Sequence, residues 1–280
     1  MSRTVLITGC SSGIGRCLAF GLKARGYDVI ATARRPTDVD ALAADGLTAL
    51  PLDLASSASI AAAVAAVRER TGGRLFALIN NGAYGQPGAV EDLSRAALRA
   101  QFETNVFGTH ELTCLALPMF RAAGTGRIVQ ISSLLGLVCL AYRGAYNASK
   151  FALEALSDTL RLELRGTDIH VALIEPGPIK TRFRDNALAA FRAHIDPATS
   201  AHRKQYEALL TRLLGQRGPL PFTLPPEAVL QRVIHALESP RPKIRYYVTT
   251  PTYFFALLRR LLPARLLDRV LYRVGGAGRR

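Results

Sequence analysis

The chain has 280 residues, 49% hydrophobic and 20% charged, with 23 Gly and 15 Pro, which suits one large or two small globular domains and excludes disordered and collagen-like classes. Its longest apolar run, 137–142, is far short of the ~20 residues of a spanning helix, and 5–7 is too short for a signal-peptide core. The expectation is a cytoplasmic protein without a cleaved leader. Lys and Arg number 36 against 21 Asp and Glu, a net +15 that invites an anionic partner such as a membrane surface or nucleic acid.

In chain order, 4–8 is a short β-branched run that ends in glycines and opens onto an amphipathic stretch, 15–25, predicting strand, tight turn and helix. Further strands are predicted over 28–32, 47–52, 75–80, 126–132, 170–175 and 245–249, with helices between them such as 57–70, 95–121 and 146–165. Parallel strands need crossovers, and right-handed crossovers stack helices on both faces, so the alternation argues for a doubly wound parallel α/β sheet. Two segments interrupt it. Residues 178–225 contain no strand, only helical stretches at 186–194 and 202–214, and are read as a helical lid over the end of the sheet. Beyond 250, Phe254, Leu257, Leu258, Leu261 and Leu262 recur at helical spacing, and Pro263 precedes a second amphipathic run. The expected organisation is a catalytic domain over 1–250 and a basic amphipathic extension over 251–280.

The first strand ends in Thr8-Gly9-Cys10-Ser11-Ser12-Gly13-Ile14-Gly15. Gly9 permits the turn, Gly13 lets backbone approach a diphosphate, and Gly15 allows close packing, while the helix amides favour an anion. At the end of the second strand, where an acid would accept from an adenosine ribose, the chain reads Ala33-Arg34-Arg35. The planar fork of Arg34 suits a phosphate, so NADP is preferred to NAD. Tyr146 and Lys150 lie four apart on one helical face, and Ser133 stands thirteen residues upstream at a strand end, placing all three at the carboxyl edge of the sheet. Such a trio can run a hydride-transfer site. A tyrosine is unperturbed at about 10, and the Lys150 ammonium is expected to lower it. Ser133 would steady the substrate oxygen. Cys10, Cys17, Cys114 and Cys139 have no metal-ligand spacing, and no metal is expected.

These residues resemble the short-chain dehydrogenase/reductase superfamily, most of all its branch of hydroxysteroid and retinol dehydrogenases, over 4–249. The resemblance implies a single-domain Rossmann fold of about seven strands in the order 3-2-1-4-5-6-7. It implies a catalytic set of Asn105, Ser133, Tyr146 and Lys150, with Asn105 holding a water in a proton relay through Lys150. For the cofactor it implies Gly9, Ser11, Ser12, Gly13, Ile14 and Gly15 at the diphosphate, with Arg34, Asp53 and Leu54 at the adenosine. Asn81, Gly82, Tyr146, Lys150, Pro176, Gly177, Ile179 and Thr181 follow toward the nicotinamide. It also implies homo-oligomers through the long helices at 96–121 and 146–165. One position departs from the pattern: Asn80-Asn81-Gly82-Ala83 stands where the family reads Asn-Asn-Ala-Gly, and Ala83 would be strained if that turn needs φ > 0.

The expected activity is NADP(H)-dependent interconversion of a hydrophobic alcohol and its ketone or aldehyde. Phe183, Leu188, Phe191, Tyr206, Leu209, Leu210 and Phe222 either line a pocket for a steroid-, retinoid- or lipid-like substrate or pack the lid on itself. His194, His202 and His235 have no partner at metal spacing and read as surface histidines. Nine of the fifteen net charges lie in the last forty residues, so the tail either lies on anionic lipid or docks on the body or a sister subunit. No nucleic-acid motif accompanies the charge. Two other function classes stay open: a non-catalytic NADP-sensing protein and a membrane-surface protein acting through its tail.

Overall fold

The computed structural model describes residues 3–215, 218 and 220–275; the tail arginines Arg279 and Arg280 lie outside the described residues. Seven parallel strands, β1 (Thr4–Ile7), β2 (Asp28–Ala33), β3 (Thr48–Pro51), β4 (Ala77–Asn80), β5 (Gly126–Ile131), β6 (Ile169–Glu175) and β7 (Arg245–Tyr247), form one sheet. Their order is β3-β2-β1-β4-β5-β6-β7, the doubly wound order expected. Most strand residues are apolar because both sheet faces are covered, and the side chains alternate between two cores. Val5 and Ile7 point into one core with Leu18 and Leu22 of α1 (Gly13–Ala24) and Val229 and Val233; Leu6 points into the other with Ile60, Val64, Leu112 and Phe120.

On the first face α1 is joined by α2 (Pro36–Ala44) and, later in the chain, by Glu227–Glu238. On the second stand α3 (Ser57–Thr71) and the expected long helix 95–121, which is α4 (Arg95–Phe102) and α5 (Thr109–Ala123) joined by a π-helical stretch, Glu103–Gly108. A Cβ on Gly108 would come within 1.7 Å of the Leu54 carbonyl oxygen, so only glycine lets this widened turn lie against the start of the third crossover. The twenty-residue α6 (Gly144–Glu163) precedes β6.

Among the described residues the segment 178–225 carries no strand; α7 (Phe183–His194) and α8 (Arg203–Leu213) cross the carboxyl edge of the sheet. Its two ends are stitched together where Lys180 N–H donates to Leu224 O at 2.9 Å and Leu224 N–H to Pro178 O at 3.1 Å. After α9 (Glu227–Glu238), the chain ends in α10 (Thr250–Leu261) and α11 (Ala264–Val274). Phe255 and Leu271 from these two helices are buried with Leu134 and Val138, so one face of the extension docks on the body. Cys10 is buried, Cys17 is half-buried, and Cys114 and Cys139 are exposed.

Candidate active site

The glycine loop is built by backbone contact. Gly9 adopts φ +70°, and a Cβ there would lie 2.8 Å from Gly82 Cα; a Cβ on Gly15 would lie 2.1 Å from Gly9 O. Thr8 locks the two turns, accepting at Oγ1 from the Asn81 and Gly82 amides at 2.9 and 2.7 Å. Asn81 Nδ2 donates to Thr8 O and Gly9 O at 2.8 and 3.1 Å. The inverted Gly82-Ala83 order is accommodated without strain, because neither residue has a positive φ. The space at Gly82 is tight: a Cβ would meet Leu54 Cδ1 at 3.1 Å and Thr8 Oγ1 at 3.2 Å, so an alanine there would need its neighbours to give slightly.

A cavity of about 690 Å³ opens at the carboxyl edge of the sheet. Its wall brings together Gly9, Ser11, Ser12, Gly13, Ile14, Gly15, Asn81, Gly82, Ser133, Tyr146, Lys150, Pro176, Gly177, Ile179 and Thr181. Four expected residues stand outside that wall. Arg34 is exposed just past β2, while Asp53 is half-buried and Leu54 buried beyond β3. The two arginines differ: Arg35 is held by Asp38 at 2.8 Å, whereas Arg34 has no hydrogen bond or ion pair among the described residues. Asp53 Oδ1 accepts from the Ala55 amide at 3.0 Å. Asn105 is buried in the π-helical stretch; its side-chain amide donates to Tyr84 O at 2.9 Å and Ser149 Oγ at 3.2 Å and accepts from the Tyr84 amide.

Tyr146 and Lys150 project from α6 and Ser133 from the end of β5. Burial pushes the Tyr146 phenol up to about 12, partly offset by a hydrogen bond with Ser133. This reverses the expected lowering by Lys150. The Lys150 ammonium lies over the tyrosine ring, 5.7 Å from its centroid, and donates to Ile131 O at 2.8 Å, so it does not engage the hydroxyl. Burial also brings Lys150 down to about 8, with the Glu154 carboxylate acting in the opposite direction. Phe183 packs edge-on to Tyr146 with ring centroids 5.3 Å apart, in space that a Cβ on Gly85 would fill.

The lid divides the two readings of its apolar residues. Phe183 and Leu209 line the cavity. Phe191, Tyr206 and Leu210 belong to the lid's own core with Ala89 and Ile195, Leu188 is half-buried, and Phe222 is exposed. Tyr206 donates to Asp92 and accepts from the Ala89 amide at 2.9 Å, and Ser200 donates to Asp92 at 2.6 Å, latching lid to body. His202 meets Glu91 and Tyr142, His235 meets Tyr246 at 2.8 Å, and His194 meets Ala190 O at 3.2 Å.

Sequence reading missed a charged cluster behind Lys150. Arg245 reaches Asp158 at 2.6 Å and Glu154 and Glu175 at 3.1 Å each. Burial pushes Glu175 up to about 8 and raises Glu154. Two signals were available: an acid closing an apolar strand run, and an acid four residues after Lys150 on the same helical face. Arg143 and Arg212, which line the cavity, were also missed.

Gly9, Gly13 and Gly15 form a cradle that side chains would fill, it opens into the same cavity as the Ser-Tyr-Lys trio, and it fits a dinucleotide diphosphate. The comparisons agree. The family model for short chain dehydrogenases matches residues 3–190. The uncharacterised oxidoreductase YbbO of Escherichia coli K12 is 44% identical over 97% of this chain and 94% of its own. Human retinol dehydrogenase 8 is 34% identical over 87% of this chain and 80% of its own. A solved short-chain dehydrogenase from Streptomyces avermitilis superposes with a TM-score of 0.79 at 29% identity, over 99% and 98% of the two chains. Solved chains of the same fold hold NADP in one case and NAD in another. Family model, relatives and geometry converge: the chain belongs to the short-chain dehydrogenase family of oxidoreductases.

Proposed function

We propose that the protein is an NADP(H)-dependent reductase of hydrophobic ketones or aldehydes, working reversibly on the corresponding alcohols. The observation that carries this reading is the convergence of Ser133, Tyr146 and Lys150 with the glycine cradle on one cavity. When bound, the nicotinamide supplies or accepts the hydride. The glycine loop and α1 amides hold the diphosphate, Asp53 and Leu54 meet the adenine, and Pro176, Gly177, Ile179 and Thr181 flank the nicotinamide. Tyr146, kept protonated by burial, gives its proton to the carbonyl oxygen. Ser133 donates a hydrogen bond to that oxygen as negative charge develops. Lys150 would hold the ribose and, through a water held by Asn105, relay a replacement proton from solvent to Tyr146. The unengaged guanidinium of Arg34 suits the phosphate that distinguishes NADP from NAD. The apolar wall of Leu135, Leu140, Phe183, Leu209 and Leu213 supports a hydrophobic substrate, as do the retinol-named relatives.

The test is NADPH and NADH binding, then turnover against hydrophobic ketones and aldehydes. NADPH binds more tightly, Tyr146→Phe abolishes turnover with little change in NADPH affinity, and Arg34→Glu reverses the cofactor preference. Full activity in Tyr146→Phe overturns the mechanism; NADPH binding without turnover favours a sensor.

A second reading concerns the surface. On α10 and α11, Tyr253, Phe254, Leu257, Leu261, Leu266 and Tyr272 are exposed beside Arg260, Arg265 and Arg269, the pattern of a helix pair resting on an anionic bilayer. A second copy of so cationic a patch would be repelled there. Exposed Leu115 on α5 and Leu156 and Leu162 on α6 support self-association through those helices instead.

A further inference from the structure

The cavity wall holds six basic side chains, Arg143, Lys150, Lys180, Arg182, Arg184 and Arg212, and among the described residues no carboxylate. Lys150 serves the chemistry, Arg182 lies 3.8 Å from Asp185, and Arg184 donates to Gly218 O at 3.3 Å. Arg143 and Arg212 share the wall with Leu140, Leu209 and Leu213.

Arg143 occupies an unfavourable place for a cation. It is the capping residue at the N-terminus of α6, where the helix dipole repels positive charge. Burial, and then the neighbouring charge of Arg212, push its guanidinium down to about 10. Among the described residues its guanidinium donates to Ala141 O at 3.1 Å and meets no carboxylate. Arg212 approaches from α8 across the lid, so two like charges from separate elements meet at an apolar wall. A ligand with negative charge at this point would offset all three costs, whereas a neutral acceptor would offset only part of the cost of burial.

We propose that the substrate taken by this cavity is an anionic amphiphile: an apolar body bearing the reacting carbonyl, with a carboxylate or phosphate head held by Arg143 and Arg212. This deepens the reductase reading of the same cavity and rests on it. The cofactor phosphates are served elsewhere, at the glycine cradle and the end of β2.

Calorimetric titration of the full-length protein tests it, with dodecanoate, dodecyl phosphate and methyl dodecanoate as probes. At least one anionic probe binds about tenfold or more tightly than the ester, and the stronger of the two identifies the head group. Arg143→Gln and Arg212→Gln each weaken the anion about tenfold and leave the ester and NADPH unchanged. Arg143→Lys keeps the charge and loses the fork, giving an intermediate loss. Equal binding of anion and ester, or binding of no probe, overturns the proposal. So does a loss of NADPH affinity in the arginine variants, which would assign them to the cofactor. Tyr146→Phe retains anion binding, so failure of the reductase chemistry is distinguishable from failure of the head-group site.

Discussion

Lys150 is held between two opposed effects. Burial drives its ammonium down to about 8, while Glu154, one helical turn further on, sustains the charge. In turn Glu154 is steadied by Arg245, which it shares with Asp158 and Glu175. An activity that needs the Lys150 ammonium therefore falls as pH rises through about 8. Glu154→Gln removes the stabilising charge, lowers the lysine pKa further and moves the alkaline limb of kcat to lower pH; a profile unchanged from wild type would refute the coupling. The convergence of Ser133, Tyr146 and Lys150 on one cavity was legible because their spacing is local and their chemistry distinctive. The direction of the Tyr146 shift was not, because desolvation comes from packing by residues such as Phe183, far away in sequence. Arg245 lies 91 residues beyond Glu154, and no local pattern joins them.

At the level of elements, the alternation of buried strands and amphipathic helices was enough for a doubly wound parallel sheet, since a parallel sheet permits few crossovers, whereas the strand order came from the family resemblance. The π-helical stretch at Asn105 was hidden, because it depends on the approach of Gly108 to Leu54 from another crossover. The lid was legible as helical but not as latched. Tyr206 carries that latch, receiving the Ala89 amide and donating to Asp92 from a fully buried position. Tyr206→Phe leaves the Ala89 amide without its partner and costs about 1–3 kcal/mol. Thermal unfolding measures the loss, and hydrogen exchange should locate it in α7 and α8; uniform exchange across the sheet would place the latch elsewhere.

Across the whole molecule, nine of the fifteen net positive charges lie in the last forty residues, and no described helix is long and apolar enough to cross a membrane. The proposed bilayer contact predicts co-sedimentation with vesicles of phosphatidylcholine and phosphatidylglycerol, and little with phosphatidylcholine alone. Leu257→Asp should abolish it, and Arg260→Glu and Arg265→Glu should each weaken it about fivefold or more. Binding indifferent to lipid charge would refute the reading. The inner face of α10 and α11 has a different consequence. Leu134 and Val138, which follow Ser133, are covered by Phe255 and Leu271, so the wall beneath the catalytic loop is supplied from well downstream in the chain. During synthesis the glycine cradle and the Ser-Tyr-Lys trio emerge before this support does. A ribosome-bound chain that already possesses Ser133, Tyr146 and Lys150 would thus remain immature until residues near 271 leave the exit tunnel.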